Sequence, residues 1–257
     1  MIMLKLPRYI IYDILRNKII LAYTLLLFLI STGLFQLEEN NDKALLGLLS
    51  VVLIVVPLVS LIFTTIHYYN SYEFMELLLS QPQSRWSILL SEYTGVAVSL
   101  LVAYGIGVGL PLLIYSLGPV GFYLLLTGLL LSMIFCSLAF LISVKSRDKA
   151  KGIGIALLLW FYFALIYDGV LLLILFSLSD YPLEKLTFLF SALNPIDLGR
   201  VFVMLKMDIG ALMGYTGAVY KNFLGKETGI LFTCLINLAW VIVPLFLAKK
   251  IFNKKDM

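Results

Sequence analysis

Asp168 has more to explain than any other residue in this chain. It sits in FALIYDGVLL, within a run that carries no other charge, and an acid at bilayer depth costs about 2.5–3.5 kcal/mol on insertion scales. Three readings stand open for it. It is an ion or polar-substrate site, or a hydrogen-bonding partner of Tyr162, Tyr167 or a neighbouring helix, or the point where the chain begins to leave the lipid. The first would make the protein an ion-coupled secondary carrier. Such carriers use a chain of acidic groups or a pair of broken helices, and Asp168 is the one acid at depth. Glu92 lies one turn inside its own apolar run, at the expected interface. A polytopic membrane enzyme would need a second catalytic group near Asp168, and the sequence offers no evident one.

The remaining reactive side chains point less far. With a single histidine, His67, no HExxH metal site can form. Cys136 and Cys234 fall in apolar stretches, where neither a disulfide framework nor a metal site is expected. Met204, Met207 and Met213 carry thioethers of the kind that suit Cu(I). Only the first two are closely spaced, and methionine is an ordinary core filler. No GxxxxGK[ST] phosphate loop and no GxSxG elbow occur. The GxG pairs at Gly105–Gly107 and Gly152–Gly154 follow no strand, so they carry no dinucleotide signal. Gly105 and Gly109 form a GxxxG spacing that lets another helix approach closely.

The elements that must position these residues are apolar helices. The chain has 257 residues, 61% hydrophobic and 13% charged, with a mean hydropathy of +1.02. A soluble domain carries about 25% charged residues, so large soluble modules and nucleic-acid binding are excluded. At roughly 20 residues per crossing, six apolar segments stand out: 19–35, 44–66, 88–117, 120–143, 153–176 and 229–248. The third is too long to cross straight, so it tilts, extends into water or kinks near Pro111. No small-residue cleavage site follows the first segment, which is expected to stay as an anchor. Lys5, Arg8, Arg16, Lys18, Arg85, Lys145, Arg147, Lys149, Lys151, Lys249, Lys250, Lys254 and Lys255 all fall on one side. By the positive-inside rule that side is cytoplasmic, and both termini lie there.

Four segments lie outside these spans. Residues 4–17 place Ile10, Ile11, Ile14 and Leu15 at helical spacing against Arg8, Asp13 and Arg16. They read as a helix in the interface plane or as a basic flank that only sets topology. Residues 69–87, YNSYEFMELLLSQPQSRWS, place Asn70 three residues before Glu73, close to a capping box. Phe74, Leu77 and Leu78 make an apolar face, Glu73, Glu76 and Ser80 a polar one, and Gln81-Pro82 ends the helix. Such a helix lies flat on lipid or docks into a groove on a soluble partner. With no cation on its polar face, docking is the better fit. Residues 144–152 are short and basic, and set topology or make a second contact with the same partner. Residues 177–228 carry an apolar stretch at 183–193, a break at Asn194-Pro195, an amphipathic run at 196–208 and then Gly210, Gly214 and Gly217. A segment this long with its own periodicity is usually functional. It reads as short re-entrant or surface helices capping the outer end, or as a passive packing lid.

The expected fold is therefore an all-α polytopic membrane protein. Residues 1–257 form one transmembrane unit of six helices, with an N-terminal interfacial helix and a helical outer cap between helices five and six. EFMELLLSQPQSRWSILLSEY resembles the coupling-helix region of ABC-2 type ABC exporter permeases, although Ser91-Glu92 stands where a Gly-Lys pair is usual. SRDKAKGIGIALLLW resembles the loop that opens their fifth span. LIYDGVLLL, LNPIDLGRVF and DIGALMGYTGAVYKNFLG resemble more narrowly the permeases of nitrous oxide reductase maturation transporters. The resemblance implies a bacterial inner-membrane permease with a second copy of itself, cytoplasmic ABC ATPase subunits and a periplasmic β-helical partner, serving assembly of a copper–sulfur centre. It implies no cofactor in this chain, with ATP-Mg held by the ATPase. It casts Phe74, Leu77 and Leu78 as anchors in the ATPase groove, with Glu73 and Glu76 at its rim. The outer cap, with Asn194, Pro195, Asp197, Arg200 and Tyr215, becomes the docking surface for the periplasmic partner, and Asp168 a candidate for transport or gating.

Overall fold

A computed structural model describes residues 5–81, 84–115, 118–177, 190–207 and 214–254, and among these no strand occurs. Helix α1 (Lys5–Leu15) precedes α2 (Lys18–Leu37), α3 (Asn41–Asn70) and the short α4 (Tyr72–Leu79). Then come α5 (Arg85–Tyr104), a π-helical turn (Gly105–Gly109), α6 (Leu110–Tyr115) and α7 (Pro119–Lys145). The chain continues through α8 (Lys149–Phe161), a second π turn (Tyr162–Ile166), α9 (Tyr167–Ser177), α10 (Pro195–Met204) and α11 (Gly214–Lys254).

Six stretches are long and apolar enough to cross a membrane: Lys18–Leu37, Asn41–Asn70, Arg85–Tyr115, Pro119–Lys145, Lys149–Ile174 and Gly229–Lys254. All six expected segments are present. Most outrun their apolar windows because polar flanking residues continue the helix and cap it. Asn17 accepts from the Ile19 N–H, Asn40 from Asp42 and Asp148 from Ala150 and Lys151. Each side chain satisfies a donor that the first helical turn leaves open.

Spans two, three and four form the centre, with half or more of each buried; in spans one, five and six less than a third is buried. Several hydroxyls in the central helices bond back to their own helices, as Thr65 does to the Leu61 carbonyl, Ser99 to Gly95 and Ser132 to Gly128. That pairing removes the cost of a bare polar atom in a dry interior.

Span three departs from α-helical bonding just before its proline. Pro111 has no N–H to return to the Gly107 carbonyl four residues back, and the glycine-rich turn ahead of it widens to a π turn. Gly107 also sets the approach of span one, since a Cβ there would stand 2.8 Å from Leu27 Cβ and 3.0 Å from the Thr24 carbonyl oxygen. The Gly105–Gly109 spacing is not itself the contact: Gly105 faces open space and Gly109 faces Leu125.

α1 lies against α5 with Ile10 and Ile14 buried and Tyr9 and Tyr12 exposed. The Arg16 guanidinium sits 4.0 Å over the Tyr12 ring. At the other end of the sequence α11 runs for 41 residues, about 60 Å at ~1.5 Å per residue. The stretch before Gly229, expected as separate short helices, is therefore continuous with span six. Arg85 donates to the carbonyls of Phe252 and Asn253 at 3.5 and 3.4 Å. It thus supplies a cation where the dipole of α11 ends negative.

Candidate functional site

Two sites stand at opposite ends of span five. The first is built around α4. His67, in the last turn of α3, brings Nε2 within 3.2 Å of Glu92 Oε2 on α5 and 3.3 Å of Ser71 Oγ. Both contacts compete for one nitrogen, and a carboxylate is the stronger acceptor of its proton. Glu92 is thus buried inside the bundle. Asn70 does not cap α4. Its Oδ1 accepts from Lys149 Nζ at 2.8 Å, and the cap position falls to Ser71, which makes no side-chain capping bond. The helix is accordingly eight residues long and starts one residue later than its sequence predicts.

The faces of α4 also divide differently. Met75 and Leu78 are buried against the chain's own bundle, so Leu78 is not free to fill a partner's groove. Phe74 (39%) and Leu77 (68%) are exposed, and so are Glu73 and Glu76. The outward surface is therefore two apolar side chains flanked by two carboxylates. Pro82 lies outside the described residues.

The end of α3 that leads into this surface is fixed to the start of span five. Tyr69 Oη donates to the Ser146 carbonyl at 3.2 Å, beside the Asn70–Lys149 bond. Gly152 on α8 lies flush with the Tyr69 ring, where a Cβ would collide with it. The basic 144–152 loop is thus bound directly to the α4 loop.

The second site lies about 29 Å further along span five, counting 19 residues from Lys149 at ~1.5 Å each. The π turn leaves the Phe163 carbonyl free of its usual partner. Asn194 Nδ2 donates to it at 3.0 Å, while Asn194 Oδ1 caps α10 at the Ile196 N–H, also 3.0 Å. Tyr167 donates to the Phe190 carbonyl, and Trp240 of span six to Ala192 at 3.1 Å. Arg200 Nη2 stands 2.9 Å from Asp168 Oδ2, and its Nη1 3.4 Å from Asp197 Oδ1. Burial pushes the Asp197 carboxyl above the ordinary range, and the Arg200 guanidinium beside it pulls it down.

These contacts correct the expected docking set. Asn194, Pro195 and Asp197 are buried within the chain, because α10 inserts its whole apolar face against the bundle. Arg200 is half-buried and committed to two carboxylates. The Tyr215 side chain, residues 178–189 and residues 208–213 with Met213 lie outside the described residues. Asp168 has a partner after all: an arginine from the following segment, which no local window around Asp168 contains. The signal was Arg200 itself, a cation three residues after Asp197 in an amphipathic run.

The sequence model of the family described as "ABC-2 family transporter protein" matches residues 74–257, beginning within α4. A "Probable ABC transporter permease protein NosY" of Stutzerimonas stutzeri is 29% identical over 273 residues, covering 95% of each chain. A protein of the same name from Pseudomonas aeruginosa is 31% identical over 223 residues, covering 79% of this chain and 81% of the relative. With six membrane-crossing helices and a family match from α4 to the last residue, this chain belongs to the ABC-2 family of transporter proteins, as a multi-pass permease subunit of an ABC transporter in the bacterial inner membrane.

Proposed function

We propose that this permease works as a pair of identical chains driven by cytoplasmic ABC ATPase subunits that dock on α4, and that it supports maturation of the copper–sulfur centre of nitrous oxide reductase. The observation that carries the first part is the outward pair Phe74 and Leu77 on a helix packed on span three, directly after the span-two residues Tyr69 and Asn70 that bond to the start of span five. An ATPase groove closes over those two side chains, with Glu73 and Glu76 at its edge. Docking of this kind reads a helix through a few apolar anchors.

When the ATPase pair closes, α4 moves with Tyr69 and Asn70, and Lys149 and Ser146 carry the displacement into span five. At its far end span five grips α10 through Phe163 and Asp168. The stroke thereby reshapes the outer segment, where a secreted β-helical partner is seated. Likeness in sequence to the two named relatives supports the maturation role. A sulfur species crosses the membrane in this cycle, or force is passed to the secreted partner.

Purification of the tagged permease from native membranes in mild detergent tests this reading. Recovery of an ATPase and a secreted β-helical protein in comparable amounts is expected. Recovery of the chain by itself, stable and monodisperse, overturns it. Deleting the gene in a denitrifying host tests the maturation role: nitrous oxide reductase should then lack the absorption of its copper–sulfur centre, and a fully loaded enzyme would refute the assignment.

A further inference from the structure

The end of the bundle that carries α4 also holds a cluster of cations that none of the bonds above employs. Lys145, the last residue of α7, and Arg147 just after it, with Lys250 and Lys254 in the last turns of α11, line one open cavity of about 390 Å³. All four are exposed, and among the described residues none forms an ion pair. Lys249, by contrast, turns away and sits 4.5 Å over the Trp86 ring. Four like charges around one space repel each other unless an anion joins them.

Directly beneath lies an apolar groove of about 320 Å³ between the same two helices, with Leu138, Leu141, Ala239, Val243, Pro244 and Leu247 among its walls. The spacing makes the two features one. Leu138, Leu141 and Lys145 follow each other at helical intervals on α7, as do Val243, Leu247, Lys250 and Lys254 on α11. From Trp240 to Lys254 the groove and the cavity extend about 21 Å at ~1.5 Å per residue. That is about one leaflet of hydrocarbon, roughly 15 Å, plus a headgroup. A route across the membrane would run twice as deep.

A second cavity, of about 670 Å³, shares Lys145, Arg147 and Leu141 with these two and adds Lys151. Asp148 also lines it, but its carboxylate already accepts from the Ala150 and Lys151 N–H groups. Two adjoining cationic cavities above one apolar groove fit a headgroup with two phosphates better than one with a single phosphate.

We propose that the groove between α7 and α11 is a binding site for an anionic phospholipid of the two-phosphate, cardiolipin type. Its phosphates are held by Lys145, Arg147, Lys250 and Lys254, and an acyl chain lies along Leu141, Val243 and Leu247. Basic pockets between membrane helices hold such headgroups elsewhere. An acidic protein surface would use the cations but leave the groove below them empty.

Native mass spectrometry of the purified permease complex, with cardiolipin, phosphatidylglycerol, phosphatidylcholine or inorganic phosphate added, tests the site. Cardiolipin should be retained most strongly, phosphatidylcholine and free phosphate hardly at all. The pair K145Q/R147Q should weaken cardiolipin roughly thirtyfold, the loss expected for two surface cations; K250Q/K254Q does the same from the other helix. A239W fills the groove without changing charge and should weaken cardiolipin but not ATPase recovery. The control K43Q, at the opposite end, should change nothing. Unaltered cardiolipin retention in both charge pairs, or in A239W, overturns the proposal. So does a result in which the charge pairs lose the ATPase while keeping the lipid, which would assign the patch to a protein.

Discussion

Arg200 holds Asp168 at 2.9 Å and so ties the end of span five remote from α4 to α10. The acid that looked most like an ion site is thus half of a brace. Both side chains remain about one-third exposed, which limits the strength of the pair. A double-mutant cycle with D168N and R200Q, read by thermal unfolding in detergent, should give a coupling of about 0.5–1 kcal/mol. Additive effects would sink the brace. D168N should leave ATP-driven function within a few-fold of wild type, whereas a carrier with its ion site at Asp168 would stop.

Replacing both Phe74 and Leu77 with Glu should leave insertion and thermal stability near wild type, because both side chains are exposed. ATPase activity stimulated by the permease should vanish. L78E is the contrasting variant: a charge placed against Met75 and the bundle should cost at least about 3 kcal/mol. If F74E/L77E keeps full stimulation, α4 is not the docking helix.

Asn194 does two things with one amide, and two substitutions separate them. N194S keeps a capping oxygen but is too short to donate to the Phe163 carbonyl. It should cost about 1–3 kcal/mol for a buried acceptor left bare. N194A loses the cap as well and should cost about 1 kcal/mol more. Limited proteolysis at the outer segment, run beside thermal unfolding, should report the same order.

Asp197 predicts a pH dependence with a definite sign. Its folded carboxyl titrates above the ordinary value because burial disfavours the charge. The folded state therefore binds its proton more tightly than the unfolded chain does, and stability falls as pH rises from about 4 through the raised value. D197N removes that loss. Its gain over wild type should be absent near pH 4, grow with pH and then level off. A gain largest in acid would contradict this.

The six spans were legible because lipid selects for apolar length, and 44–66 or 120–143 can only be helices in that solvent. α1 was legible for a related reason, since Ile10 and Ile14 repeat at helical spacing. What local pattern could not reveal was who holds whom. Asn70 and Glu73 make a sound capping box, yet Lys149, 79 residues away, takes the Asn70 side chain. The 196–208 run is amphipathic, but periodicity does not say whether a partner or the chain's own bundle covers its apolar face, and the bundle does. Phe74 and Leu78 look alike in the sequence of α4; only the packing of α4 on α5 turns one out and the other in.

The π turn at Tyr162–Ile166 makes span five unusually tolerant of one kind of inheritance. A π turn closes over one residue more than an α turn, so it absorbs an insertion without rotating the helix beyond it. A descendant that deletes one residue within the turn would keep its acid opposite Arg200 and lose only the bond between the Phe163 carbonyl and Asn194. The same deletion a turn earlier or later would swing the acid about 100° around the helix and strand the arginine. Along this span, chain length is free to drift at one place only.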